Sequence, residues 1–389
     1  MGHMATSIIA FDNIFFTCMM RWQFVGMTRC LFRSFTNPLP CVPLRKIIAM
    51  ASFRSIEFSC NIPDVTITSS VKSKVVISID GETIYDEWLY PVAGIITLED
   101  LSSMVTPYAR QRQTVELEIL ATSEAEVSLL SESCDVVYCQ SDLGDVVPED
   151  FLQTHFLSIL MGTKQTAMGR LELLSMTGNN AVSCIAQYSD GTSRTFDNVP
   201  VEQNGAHYKT LNVSPENFGW VNKTLISYTV RAGLRIQNYE LDLSAPDCAP
   251  ILVFVNSFGM DEMAYCTGIH KVDPSYKRSM AYVGRKQRNY RIDETRSFKA
   301  NTGPLTDAMS NWWDDVFRSD SVRIVNIYDG NPNVGKDLVI TESKSEKSND
   351  DAEITRFTFT YQYAQRNHNV LQLLRAGRIF DNTFDNTFN

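Results

Sequence analysis

The sequence predicts a mainly β protein, built from two or three antiparallel β-sandwich or barrel-like domains with two short helices. Three observations carry this. Apolar and polar residues alternate with a period of two in many short runs from residue 53 to residue 363. Asp-Gly pairs, which favour tight hairpin turns, follow such runs at Asp80-Gly81, Asp190-Gly191 and Asp329-Gly330. No regular strand–helix alternation appears, which argues against a parallel α/β architecture. With 389 residues, 44% of them hydrophobic and 21% charged, the chain can bury several cores in the ordinary globular manner.

The first 49 residues differ from the rest. Arg21, Arg29, Arg33, Arg45 and Lys46 stand against a single acid, Asp12, and neither a period of two nor one of 3.6 is present. Its charges interrupt this stretch before it reaches the roughly 20 apolar residues a membrane helix needs, and it does not open with the basic segment of a secretory signal. An arginine-rich, acid-poor stretch is compatible with an organelle transit peptide. The expectation preferred here is a poorly ordered leader outside the native fold, with Met50 as the native start and residues 1–4 as a cloning remnant.

The elements then follow in order. Ile56, Phe58 and Cys60 alternate with polar residues, as do Val65 and Ile67, then Val75, Ile77 and Ile79, then Val115, Leu117 and Ile119. A helix is expected over residues 148–161, opened by Pro148, Glu149 and Asp150 and stopped by Gly162. It closes a first domain spanning residues 50–165. Strands fill a middle domain over 166–250, with Ile226, Tyr228 and Val230 in alternation. Residues 250–255 form an unbroken apolar run, the mark of a strand buried on both faces. They open a third domain, residues 251–377. Its helix, residues 304–318, lines Leu305, Met309, Trp312 and Val316 along one stripe, widened by Trp313 and Phe317. In the last strand Phe357, Phe359, Tyr361 and Tyr363 share one face, and Arg356, Thr358, Thr360 and Gln362 the other. A tail, residues 378–389, repeats Asp-Asn-Thr-Phe and is too aromatic for a neutral solvated end.

Apparent chemical motifs fail on inspection. Residues 330–337 nearly spell a phosphate-binding loop, but Asp337 stands where a metal-binding hydroxyl is needed and the next residues are strand-like rather than helical. A hairpin is the better account. Cys134 and Cys139 lack a second ligand pair, so a zinc site is not expected. The nine cysteines form no disulfide framework and are expected as reduced, mostly buried thiols. His155, His207, His270 and His368 are scattered and read as structural or surface residues. Asp314 and Asp315 point about 100° apart on their helix, so they read as a solvated edge rather than a catalytic pair. No catalytic, cofactor-binding or metal-binding residue is predicted, and the chain is not expected to be an enzyme.

Between Lys271 and Lys299 nine Lys/Arg and three acids are interleaved with Tyr276, Tyr282, Tyr290 and Phe298. Cations with stacking aromatics suit nucleic acid, but the chain's formal charge of −10 opposes that use. An exposed strand pair, or a subunit contact with acidic neighbours, is expected instead. Asn212 and Asn222 sit in glycosylation-type triplets that carry little weight without an export signal.

The run from Phe298 to Ile324, with its Trp312-Trp313 helix, and the run from Val339 to Asp350 followed by the aromatic strand, resemble recurring segments in tail proteins of Bacteroidetes (Bacteroidales) phages and prophages. Residues 255–262 and 379–384 fit the same pattern. The resemblance covers residues 250–389 and, more loosely, 53–165. It implies a virion structural role at the distal tail or baseplate, assembled in the bacterial cytoplasm, with no enzymatic residues to carry over. Partners would be copies of the same chain in a homo-oligomer and other tail proteins, with a host-surface glycan as a further candidate and neither nucleic acid nor membrane insertion. Trp312, Trp313 and Phe317 are the candidate core or subunit-contact cluster. Phe380, Phe384 and Phe388 are the candidate anchors of the tail on a neighbour. The alternative is a carbohydrate-binding or adhesin-like bacterial β-sandwich.

Overall fold

The computed structural model describes residues 53–243, 250–328, 331–347 and 354–364. They form a mainly β molecule, as the alternation predicts, whose sheets pack on three main apolar cores with two smaller clusters between them. The first group contains β1 (Ile56–Phe58), β2 (Val65–Thr68), β3 (Ser73–Ile79), β4 (Glu82–Leu89) and β5 (Ile95–Leu98). It continues with α1 (Leu101–Arg112), β6 (Thr114–Ser123), β7 (Ser128–Val137) and α2 (Pro148–Thr154). The sheet order is β1-β7-β6-β3-β4, with β1 parallel to β7 and the other neighbours antiparallel. Val75, Ile77 and Ile79 of β3 and Val115, Leu117 and Ile119 of β6 face one core, covered by the β2–β5 pair and by α1. Asp80 and Gly81 both take positive φ, 50° and 79°, the twist a two-residue hairpin turn requires.

Helix α1 is an addition to the two helices expected. Leu101, Val105 and Ala109 bury one stripe at four-residue spacing, although Pro107 lies inside and removes a backbone donor. Helix α2 is shorter than expected. It ends at Thr154 because Arg235 donates to the carbonyl oxygens of Leu152 and, at 3.1 Å, His155, the groups a further turn would have used.

The middle group contains β8 (Thr163–Thr166), β9 (Leu173–Thr177), β10 (Val182–Tyr188), β11 (Ser193–Phe196), β12 (Val201–Asn204), β13 (Tyr208–Asn212), β14 (Leu225–Ala232) and β15 (Arg235–Leu241). A five-stranded sheet, β11-β10-β14-β15-β8, faces a three-stranded one, β12-β13-β9. Leu174, Met176 and Leu211 from the small sheet meet Tyr188, Tyr228 and Tyr239 from the large one in a shared core. Strand β8, expected in the first domain, pairs in parallel with β15.

The third group is one antiparallel sheet with a helix on its face. Its elements are β16 (Ile251–Val255), β17 (Asp261–Tyr265), β18 (His270–Val283), β19 (Lys286–Asn301), α3 (Asp307–Arg318), β20 (Val322–Tyr328), β21 (Asn331–Lys344) and β22 (Thr358–Tyr363). The order is β17-β16-β20-β21-β22-β19-β18. Strand β16 is buried on both faces. Leu252 and Phe254 point to the core beneath α3, while Ile251 and Val253 pack on Ala167 and Leu173 of the middle group. Helix α3 begins where the Thr306 hydroxyl accepts the Met309 N–H at 3.3 Å. Among the described residues no helix is long and apolar enough to cross a membrane.

Candidate interaction site: a basic β-arm and a buried junction

The predicted site residues divide. Trp312 and Trp313 are fully buried in the core of their own chain, packed edge-to-face at 5.9 Å, with Phe317 half-buried 5.7 Å from Trp313. Of the two roles expected for the tryptophans, core packing is the one seen here. They have no surface left for a neighbour. Phe380, Phe384 and Phe388 lie outside the described residues, as does His368.

Asp315 corrects the sequence expectation of a solvated helix edge. It is buried, and its carboxylate accepts the Ser257 hydroxyl and, at 3.0 Å, the Ser257 N–H. Asp314 beside it is the partly exposed member, paired with Lys347 at 2.8 Å. Asp315 belongs to a polar junction where the three groups meet. Lys164 of β8 pairs with Glu172 at 2.8 Å and lies 3.8 Å from Glu262. Glu262 also accepts the Trp312 indole N–H at 2.8 Å, the Asn256 amide at 2.9 Å and the Ser158 hydroxyl at 3.1 Å. Burial raises the carboxyls of Glu172, Glu262 and Asp315, with Lys164 drawing the two glutamates back down. Next to it Phe58, Phe151 and Phe258, one from β1, one from α2 and one from the β16–β17 turn, interlock with ring centroids 5.5–6.0 Å apart. The segment 255–262, picked out in the sequence, is this junction. The Asn256 side-chain oxygen Oδ1 accepts the N–H groups of Phe258 and Met260, both at 3.0 Å. Gly259 sits at φ 74°, where a Cβ would lie 2.7 Å from Gln113. This is an enclosed arrangement that fixes domains together.

The other sequence motifs resolve as local structure. Asn331–Lys344 is a strand, with Asp337 opposite Arg323. His155 stacks on Phe151 at 4.8 Å, and His270 meets the Tyr361 hydroxyl at 3.0 Å. Cys60, Cys134, Cys139, Cys184 and Cys266 are free thiols, and among the described residues no cluster of potential metal ligands forms.

The exposed feature is the β18–β19 ribbon. Its strands have 14 and 16 residues, yet β22 pairs with β19 through Phe298–Asn301 alone. The remainder stands off the sheet as a two-stranded arm, turned by Gly284 and Arg285 at φ 59° and 65°. Residues opposite one another in an antiparallel pair share a face. Val272, Tyr276 and Ile292 therefore continue the face on which Phe298 and Ala300 are buried, and beyond a bulge at Met280 the stripe ends at Tyr282. Lys271, Lys277, Arg291 and Lys299 line the other face. Between residues 276 and 292 there are six Lys/Arg and no acid. The converse surface lies on the first sheet. Residues 80–100, which include edge strand β4, hold six Asp/Glu and no Lys or Arg, beside exposed Trp88, Tyr90 and Val92. Asp80 and Glu82 there share Arg112, and Asp86 pairs with Lys74 at 3.0 Å. Glu87, Glu99 and Asp100 make no ion pair among the described residues.

No protein-family model matches the chain, and no curated protein matches it significantly.

Proposed function

We propose that the chain is a structural subunit of a virion tail, a distal tail or baseplate component of a Bacteroidales phage or prophage that acts by assembling with copies of itself and with other tail proteins. The arm carries this reading. A two-stranded ribbon is marginally stable alone, and this one adds no core to its own fold while exposing Tyr276, Met280, Tyr282, Tyr290 and Ile292. Between residues 276 and 292 its six cations and no acid contrast with a chain of formal charge −10. The surface that complements it in charge and in apolar character is the acidic, aromatic edge around β4, which a second copy supplies. Contact of an arm with a different patch on the next subunit is heterologous, the kind that generates rings. The sequence resemblance agrees with such a role.

The test is the solution mass of the full chain by light scattering. Its comparison variant replaces residues 276–294 by Asn-Gly, so that the paired Ser275 and Thr295 are joined by a two-residue turn. A closed oligomer that becomes monomeric without the arm is the expected result. A monomer in both forms would overturn self-assembly through the arm.

A further inference from the structure

At the base of the arm, on the sheet face opposite α3, lies a cleft of about 400 Å³. Lys271, Lys299 and Arg356 line it together with Thr267, Asn301 and Thr358. The strands account for this convergence. Lys271 and Lys299 are directly opposed on β18 and β19, Lys299 opposes Thr360 on β22, and Asn301 opposes Thr358. Arg356, two residues before Thr358, enters from the same side. Among the described residues no acid or aromatic ring lines the cleft. The three cations have no ion-pair partner within 4 Å among the described residues. The nearest acids on this face are Asp273, two residues along β18, and Glu342, which opposes Thr360 from β21 and so stands two strands from Lys299. Asp350, Asp351 and Glu353 lie outside the described residues.

Like charges directly opposed across strands destabilise a sheet. Here the opposition is reinforced by a guanidinium and, among the described residues, left without a counter-charge, in a concave site furnished with hydroxyls and an amide. Groups of these types, charged donors with neutral donors around them, bind the oxygens of phosphate and sulfate. A neutral sugar would want an aromatic face, which the cleft lacks. We propose that this cleft is an oxyanion site, taking a phosphate or sulfate group either free or carried on a sugar. The inference does not depend on assembly through the arm.

The experiment is thermal unfolding of the full chain in sodium phosphate, sodium sulfate or glucose 6-phosphate, against sodium chloride at the same ionic strength. The comparison protein carries Lys271→Gln and Lys299→Gln, two exposed positions whose exchange removes repulsion and leaves the core untouched. The parent should gain melting temperature with the oxyanions over chloride, and the variant should lose that gain, with affinity weaker by roughly tenfold or more. In chloride the variant should melt at or above the parent. Tighter binding of glucose 6-phosphate than of phosphate would assign the site to a sugar-borne group, and equal or weaker binding to the free oxyanion. No gain over chloride in the parent, or the same gain in the variant, would overturn the site. Light scattering of the same samples separates this result from any change in assembly.

Discussion

Lys164 is the side chain on which the junction depends most. One ammonium faces two buried carboxylates, those of Glu172 and Glu262, and stacks 4.8 Å over the Trp312 ring. Removing one partner of a buried ion pair leaves charge without compensation, at about 3–5 kcal/mol. Lys164→Met should therefore destabilise the chain by that order in urea unfolding, although it keeps the apolar stem. The carboxyls add a pH dependence whose sign is fixed by their direction. Glu172 and Glu262 titrate above their ordinary range when folded. The folded chain thus keeps protons that the unfolded chain has released, and stability falls as pH rises from the usual glutamate range through the raised folded values. Urea unfolding followed upward in pH from the usual glutamate range should show this decline, and Glu262→Gln should flatten it. An unchanged slope in that variant would remove Glu262 from the account. The thiols give a kinetic check at the same scale. Burial pushes Cys134 and Cys184 up to about 12, whereas a hydrogen bond with Cys139 lowers half-buried Cys60. Since the thiolate is the nucleophile, Cys60 should be the first of these three to react with iodoacetamide, read by peptide mass.

Elements show what a sequence discloses and what it hides. Strands β3, β6 and β16 and helix α3 were legible because their partners are written into their own periodicity, two for the first pair, an unbroken apolar run for β16 and 3.6 for α3. Helix α1 was hidden by Pro107, a strong breaker signal that Leu101, Val105 and Ala109 outweigh only once a sheet lies beneath them. The end of α2 was misplaced because the group that stops it, Arg235, lies 83 residues from Leu152. Asp315 was misread as solvated for the same reason, since Ser257 is 58 residues away. The arm was legible as an exposed pair of strands from its charges and tyrosines, but its two faces needed the register to be known. Arg235 makes the α2 account testable. Its planar fork reaches Leu152, His155, Thr177 and, at 3.1 Å, Asn180. A lysine ammonium presents a point charge and cannot span that set. Arg235→Lys should cost roughly 1–3 kcal/mol, the range for a buried polar group left unpaired, and should increase amide exchange in α2. Full protection of α2 in that variant would show that packing of Phe151 and Leu152 ends the helix without the guanidinium.

At the scale of the whole molecule, the proposed contact between the arm and the β4 edge makes a prediction that symmetry sharpens. If arms exchanged with arms, the interface would use one patch twice, and a copy without an arm could join nothing. If instead each arm meets the β4 edge of the next copy, a copy lacking residues 276–294 keeps an acceptor and loses its donor. Such a copy should cap one end of a growing assembly. Mixing it in excess with the full chain should therefore convert rings into dimers of one full-length and one armless subunit, visible as a discrete mass by native mass spectrometry. The contact joins six arm cations to a stretch holding six acids, so it should also weaken with salt. Exposed charges are screened beyond about 10 Å at 0.1 M and about 3 Å at 1 M. The apolar stripe of Val272, Tyr276 and Met280 opposes that trend, because burial of apolar surface does not weaken as charges are screened. A partial loss of mass between about 0.1 and 1 M salt is thus expected of the full chain, rather than complete dissociation. Armless copies that never enter a mixed species, beside a full chain that still oligomerises, would show that the arm binds another arm and not the β4 edge.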